Sequence, residues 1–224
     1  MNSRFLFFFF IFPLFTFSQN FYRIKADFTI KQKNADGSSA LTVGKVYYDK
    51  NYKEIVYDIS FPEKEMWITK DTSVYKFVDK KFVSRQTVPA IAEFSIFHLC
   101  LNGTLTNYGL ESSPYTIYNV EKENGMVLTT WMPPAKMAKF LGKVIVSQKD
   151  KKLYGVAMCN IKGETLNKQF YKNYDSNSGI EFPKEIVQIT YINGKENYQV
   201  TTYENIIIDD YSEEEMYNYP VTAH

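Results

Sequence analysis

The chain has 224 residues, 26 basic and 25 acidic side chains, two cysteines and an unusual share of aromatic residues, 17%. The near-zero net charge, with lysines scattered along strand ends and turns, excludes a phosphate-tracking groove for nucleic acid. Two cysteines in a chain this long exclude a disulfide-stapled scaffold.

The first residues are set apart. Arg4 precedes a run from Phe5 to Phe17 that is broken only by Pro13 and Thr16, and Ser18-Gln19 follows. A spanning helix needs about 20 apolar residues, so this shorter run has the form of a secretory signal peptide over residues 1–19, with an uncleaved anchor as the alternative. No cysteine precedes Cys100, so a cleaved chain would offer no lipidation site near its start. Residues 20–224 then form a single domain, soluble and at most peripheral to a membrane.

Alternation marks the strands. Ile24, Ala26, Phe28 and Ile30 share one face of a first strand, and Leu41 to Tyr48 forms a second, with Gly44 as a candidate bulge. Ile55 to Phe61, Met66 to Lys70, Ser73 to Val78 and Lys81 to Thr87 follow. The stretch from Pro89 to Asn102 interrupts them. Ala90, Phe94, Phe97 and Leu101 fall on one helical stripe, with Pro89 at the first turn and Asn102-Gly103 at a left-handed cap. A lone helix with such a stripe must cover a sheet, a ligand or both.

Beyond it, Tyr115 to Glu121 and Met126 to Met132 make a hairpin around Asn124-Gly125. Pro133 to Gly142 is a second interruption, able to form a helical turn or two. Five more strands lie between Val144 and Ile208, and Asn193-Gly194 is the strongest hairpin signal among them. Sequential hairpins predict a mainly β fold: one curved antiparallel sheet of about 11 strands, an incomplete barrel covered by one or two short helices. The acidic run from Asp209 to Glu215 begins a C-terminal tail, 209–224, expected to be solvated.

No GxSxG, HExxH, CxxC or phosphate-cradling glycine loop occurs, and His98 is the sole histidine before the terminal His224. Carboxylate pairs such as Glu63 and Glu65 sit at strand ends. Neither an enzyme, a metal site nor a cofactor is expected. Cys100 and Cys159 lie in apolar runs and fit two buried thiols or, in an oxidising compartment, a pair.

What the catalytic search leaves is a surplus of large amphipathic side chains. They would either fill a thick core or line an apolar cavity on the concave face of the sheet.

The order of elements resembles the LolA/LolB-like lipoprotein-carrier fold, particularly the LolA-like secreted proteins of Bacteroidetes-type bacteria. The likeness rests on Ile24 to Ile30, on Gly44-Lys-Val-Tyr-Tyr-Asp49 and on the Tyr57 to Pro62 strand ending in Phe-Pro. It continues through the mid-chain helix, Phe170-Tyr171-Lys-Asn-Tyr174, Phe182-Pro183 and Tyr203-Glu-Asn-Ile206. Two features depart from the family: no helix precedes the first strand, and no cysteine suits a lipidated receptor.

The resemblance implies a periplasmic, non-enzymatic carrier for lipid or lipoprotein acyl chains, with envelope transport proteins as candidate partners. On this reading Phe94, Phe97 and Leu101 line the cavity from the lid, and Met137 and Phe140 from the second interruption. Tyr57, Ile59, Trp67 and Trp131 line it from the sheet. The alternative is an envelope interaction module whose concave face is filled by its own side chains.

Overall fold

A computed structural model describes residues 21–88 and 92–221. Residues 1–19, expected as a signal peptide, the first part of the helical stripe (Pro89, Ala90 and Ile91) and the last residues of the tail, 222–224, lie outside the described residues.

The chain lays down six strands: β1 (Arg23–Lys33), β2 (Ser39–Asp49), β3 (Glu54–Phe61), β4 (Glu65–Lys70), β5 (Ser73–Val78) and β6 (Lys81–Thr87). A helical layer follows, containing α1 (Ile96–Leu101). Seven strands complete the fold: β7 (Thr116–Glu123), β8 (Met126–Met132), β9 (Val144–Lys149), β10 (Lys152–Cys159), β11 (Thr165–Asn177), β12 (Ile180–Ile192) and β13 (Lys195–Ile208). All thirteen join one sheet in the order β6-β5-β4-β3-β2-β1-β13-β12-β11-β10-β9-β8-β7, and every pairing is antiparallel.

The count exceeds the expected 11 or so because every strand segment read from the sequence, six-residue ones such as β4, β5 and β9 included, forms its own ladder. The sheet stays open, with β6 and β7 at its edges. It also curves around the helical layer: α1 reaches β2 through His98 and Tyr48, while Thr106 accepts a bond from Gln148 of β9 at 2.9 Å.

The hairpin chemistry follows the turn residues. Asn193 and Gly194 take φ 50° and 74°, and Asn124 and Gly125 take φ 50° and 75°, the left-handed pairs that match the twist of flanking strands. Gly44 meets a stricter demand. It sits at a register shift between β2 and β3, and an added Cβ would lie 2.2 Å from the Asp58 carbonyl oxygen. Gly44→Ala must therefore push two hydrogen-bonded backbones apart, and we expect it to destabilise the fold by about 1–3 kcal/mol. Urea unfolding checks this; an unchanged midpoint would show that β3 yields freely.

The helix is shorter than the expected 89–102. A 3₁₀ turn, Ala92–Phe94, ends at Ser95, whose backbone is extended (φ −70°, ψ 148°). The Ser95 hydroxyl accepts from the His98 N–H at 3.3 Å and donates to the Ala92 carbonyl at 2.7 Å, so it starts a fresh six-residue helix. Gly103, at φ 66°, reverses the chain after Asn102, where the cap was expected. In the second interruption, isolated turns form at Pro134 and Met137, with bonds of 2.8–3.1 Å, but no helix.

Two cores result. The larger lies between the concave face and the helical layer; the smaller, on the convex face, joins Tyr47, Val56, Ile68 and Phe77 to Tyr217. The acidic run is thus docked rather than solvated. Glu214 accepts two bonds from the Arg23 guanidinium at 2.5 and 2.7 Å, Glu213 pairs with Lys25, and Glu54 holds the Tyr219 N–H at 2.8 Å. This segment carries tyrosines that the convex patch can bury, and its carboxylates meet cations on β1.

Candidate functional site

Strand alternation decides which side chains reach the concave face. On β1 these are Ile24, Ala26 and Phe28; on β2, Val46 and Tyr48; on β12 and β13, Phe182 and Tyr203. Their neighbours in sequence, such as Tyr47 and Val56, point to the convex core instead.

Phe97 is the centre of the concave site. It is 1% exposed, stacks on Tyr48 and Phe182 with ring centroids 6.0 Å away, and meets Tyr203 edge-on at 5.5 Å. Aromatic pairs of this geometry add about 0.5–1.5 kcal/mol each beyond area burial. Beside it, the Tyr48 hydroxyl lies 2.5 Å from His98 Nδ1, linking the sheet to α1. Burial holds the His98 imidazole below its ordinary value, against the smaller opposing pull of Glu93. His98 therefore stays neutral at neutral pH, its Nδ1 sharing a hydrogen bond with the Tyr48 hydroxyl. Burial also pushes the Tyr57 and Tyr108 hydroxyls up to about 12, so both remain protonated.

The structure brings five of the nine expected lining residues together. Ile59, Phe97, Leu101 and Trp131 are buried in the concave core, and Tyr57 packs against it with its ring edge-on to Phe28 at 5.3 Å. The other four lie outside that core. Trp67 is cross-strand from Tyr57 but 42% exposed, beneath the Lys76 ammonium at 5.7 Å. Phe94 is 43% exposed and stacks on Tyr108 at 6.1 Å. Met137 and Phe140 stand in the solvent-facing turns at 40% and 80% exposure.

Tyr48, Phe182 and Tyr203, which grip Phe97, were not among the expected lining residues. Their signal was present as strand parity: Tyr48 is cross-strand from Ile24, and Tyr203 from Phe28, both on the first strand's apolar face.

Side chains fill the space beneath α1. Open clefts flank the helix instead: one of about 520 Å³ is lined by Glu93, Phe94, His98, Asn102 and Pro114, and another of about 430 Å³ by Leu101, Lys152, Tyr174 and Glu181. Cys100 and Cys159 are both buried as free thiols, and burial pushes the Cys100 thiol far up, out of reach of reactive ionisation. Among the described residues no cluster of metal ligands forms, and no helix is long and apolar enough to cross a membrane.

No protein-family model matches the sequence, and no curated protein matches it either. Solved structures do. A LolA superfamily protein from Nitrosomonas europaea superposes with a TM-score of 0.58 at 13% identity, covering 89% of this chain and 91% of that one. A domain named for outer membrane lipoprotein sorting, from Vibrio parahaemolyticus, gives 0.59 at 12% identity, with 87% and 89% covered. A DUF1329 family protein from Desulfovibrio piger gives 0.60 at 11% identity, with 89% and 91% covered. These likenesses span nearly the whole length of both chains at low identity: the chain has a LolA-like fold.

Proposed function

We propose that the protein is a non-enzymatic periplasmic carrier of outer membrane biogenesis, binding lipid or lipoprotein acyl chains on the concave face of its sheet. The observation that carries this reading is the seat of Phe97. A single aromatic ring on a six-residue helix plugs a trough of other aromatic rings, and α1 is tied to the sheet by few polar bonds. An acyl chain that displaced the plug would replace apolar contacts with apolar contacts. Each buried CH₂ contributes about 0.8 kcal/mol, so half a chain gives useful affinity. The LolA-like fold, and the lipoprotein-sorting name of one structural neighbour, support the same reading.

In this scheme Tyr57, Ile59, Leu101 and Trp131 line the opened trough, and Phe97 swings out with α1. Trp67 and Phe94 stand at its rim. Met137 and Phe140 make the first contact with the chain being collected, at a membrane surface or on an envelope transport protein.

A second reading is favoured by the filled space beneath α1 and by β7, an edge strand exposed along its whole length with Ile117, Tyr118 and Val120 uncovered. There the protein would be an envelope interaction module with no lipid ligand.

The two differ in what the protein carries. Native mass spectrometry and lipid extraction of protein isolated from its own periplasm should reveal a bound amphiphile, and the emptied protein should take up an apolar fluorescent probe. Protein that carries nothing and binds no probe would leave the interaction module standing.

A further inference from the structure

Beyond the apolar seat the same face of the sheet turns polar. Register sets Gln32 of β1 opposite Gln199 of β13, Gln199 opposite Gln188 of β12, and Gln188 opposite Gln169 of β11. Four glutamines thus form one row across four strands. Side chains two residues apart share a face, so this row lies on the concave side, two residues along from Thr201 and Tyr171. A further row, Asn197, Thr190 and Asn167, follows. Each row is about 7 Å from the last, so the face passes from aromatic to amide within about 20 Å.

The amides are incompletely used. Gln32 donates to Gln199 at 2.9 Å, Gln199 to Thr201 at 3.3 Å, Gln169 to Gln188 at 3.3 Å and Gln188 to Thr190 at 3.2 Å, while the Tyr171 hydroxyl donates to Gln169 at 2.5 Å. A primary amide has two N–H donors and two acceptor lone pairs. Each of the four therefore keeps one N–H and at least one lone pair without a protein partner among the described residues. In the next row the buried Asn167 Oδ1 has no donor, and the buried indole N–H of Trp131, which shares that row through Val144 and Met158, has no acceptor.

No formal charge stands in these rows; the first on this face is Lys195, two residues beyond Asn197 at the start of β13. Along the stretches that carry these rows the charged residues are Lys31, Lys168, Lys172 and Glu185, and all take the opposite face. There Lys168 lies 5.5 Å over the Tyr191 ring, and Lys172 pairs with Glu185 at 3.7 Å.

We infer that the amphiphile carries an uncharged saccharide headgroup, which lies along the row Gln32, Gln199, Gln188 and Gln169 while its acyl chain enters the aromatic trough. This rests on the amphiphile-carrier reading above. A phosphate needs a cation or several converging donors with no acceptors beside them, and the row mixes both kinds without a cation. A hydroxyl donates and accepts at once, so it serves both the spare N–H and the spare lone pair of each half-used amide, and it can donate to the orphaned Asn167 oxygen in the next row. Successive amides stand about 4.8 Å apart, close to the length of a sugar ring.

The test is displacement of an apolar fluorescent probe from the full chain by amphiphiles that share a decyl tail. Decyl maltoside should displace it at about tenfold lower concentration than decyl phosphate. The double variant Gln188→Leu, Gln199→Leu should bring that ratio below about twofold. Gln188→Lys, which keeps a polar side chain and adds a cation, should turn the preference towards decyl phosphate.

Equal displacement by the two detergents, with no change in Gln188→Lys, would overturn the headgroup assignment and leave acyl-chain carriage intact. So would an uncharged decanoyl peptide that displaces as well as decyl maltoside, since the row would then serve a peptide. Free maltose acting as strongly as decyl maltoside would make the row a site for soluble sugar and overturn the assignment too. If neither the probe nor any amphiphile binds, the carrier reading falls and this inference with it.

Discussion

Phe97→Ala should lower the unfolding free energy by about 3–5 kcal/mol, the largest effect expected of any single truncation in the helical layer. The ring is 1% exposed and touches three other aromatic rings contributed by β2, β12 and β13. Its loss leaves a void that the surroundings cannot easily close. Below it lies a sheet held by ladders on both sides, and above it α1 is fixed by the Ser95 cap and by the Tyr48–His98 bond. Urea unfolding measures the loss. Phe94→Ala, 43% exposed on the preceding turn, is the control and should shift stability by less than about 1 kcal/mol.

The same variant bears on function. An apolar void lined by Tyr48, Phe182 and Tyr203 should bind the apolar probe more tightly than the wild-type trough does, because the ligand no longer has to expel a ring. Weaker binding in Phe97→Ala would mean that Phe97 is part of the binding surface rather than the plug above it.

Arg23→Met is the second large effect, again about 3–5 kcal/mol. Arg23 lies 2.7 Å from Asp49, whose side chain is 1% exposed, and 4.6 Å from the face of the Tyr217 ring. Removing the guanidinium strands the Asp49 carboxylate, which keeps only the Asn51 and Tyr52 N–H groups at 2.7 and 3.2 Å. Most of the cost comes from that buried charge; Glu214, 69% exposed, contributes little. Adding Asp49→Asn to Arg23→Met should therefore restore part of the loss. Failure to do so would place the damage in the packing of Tyr217 instead.

Acid should loosen the same docked segment. The hydrogen bond from Lys25 holds the Glu213 carboxyl below its ordinary value of 4.5, and the Arg23 guanidinium does the same for Glu214. Carboxyls lowered in the folded state contribute stability that is complete above their unfolded value and is lost as pH falls through the folded one. Amide exchange over 210–221 should thus stay slow above about pH 5 and quicken below it, before the sheet itself opens.

Much of the fold was legible in local pattern. The alternation of Ile24, Ala26, Phe28 and Ile30 marks the buried face of β1 because side chains alternate strictly along a strand. Asn193-Gly194 marks a tight hairpin because few residues accept two successive left-handed conformations. These are short-range constraints, and neighbouring residues suffice to impose them. They also allowed the antiparallel sheet, its helical interruption and the LolA-like order of elements to be expected.

Other features depended on residues far apart in the chain. Tyr47 and Tyr48 are adjacent and chemically alike, yet one packs on Tyr217 and the other on Phe97. The helix began late, at Ile96, because Ser95 found local backbone partners, a competition that periodicity does not reveal. The run from Asp209 to Glu215 looked like a solvated tail, since its cationic partners stand on β1, more than 180 residues earlier. The glutamine row has no trace in any one segment, because it exists only where four strands meet in register. Local sequence could specify strands, turns and their order, since those follow from backbone geometry and side-chain period. Which face each side chain serves, and what it meets there, was settled by long-range pairing.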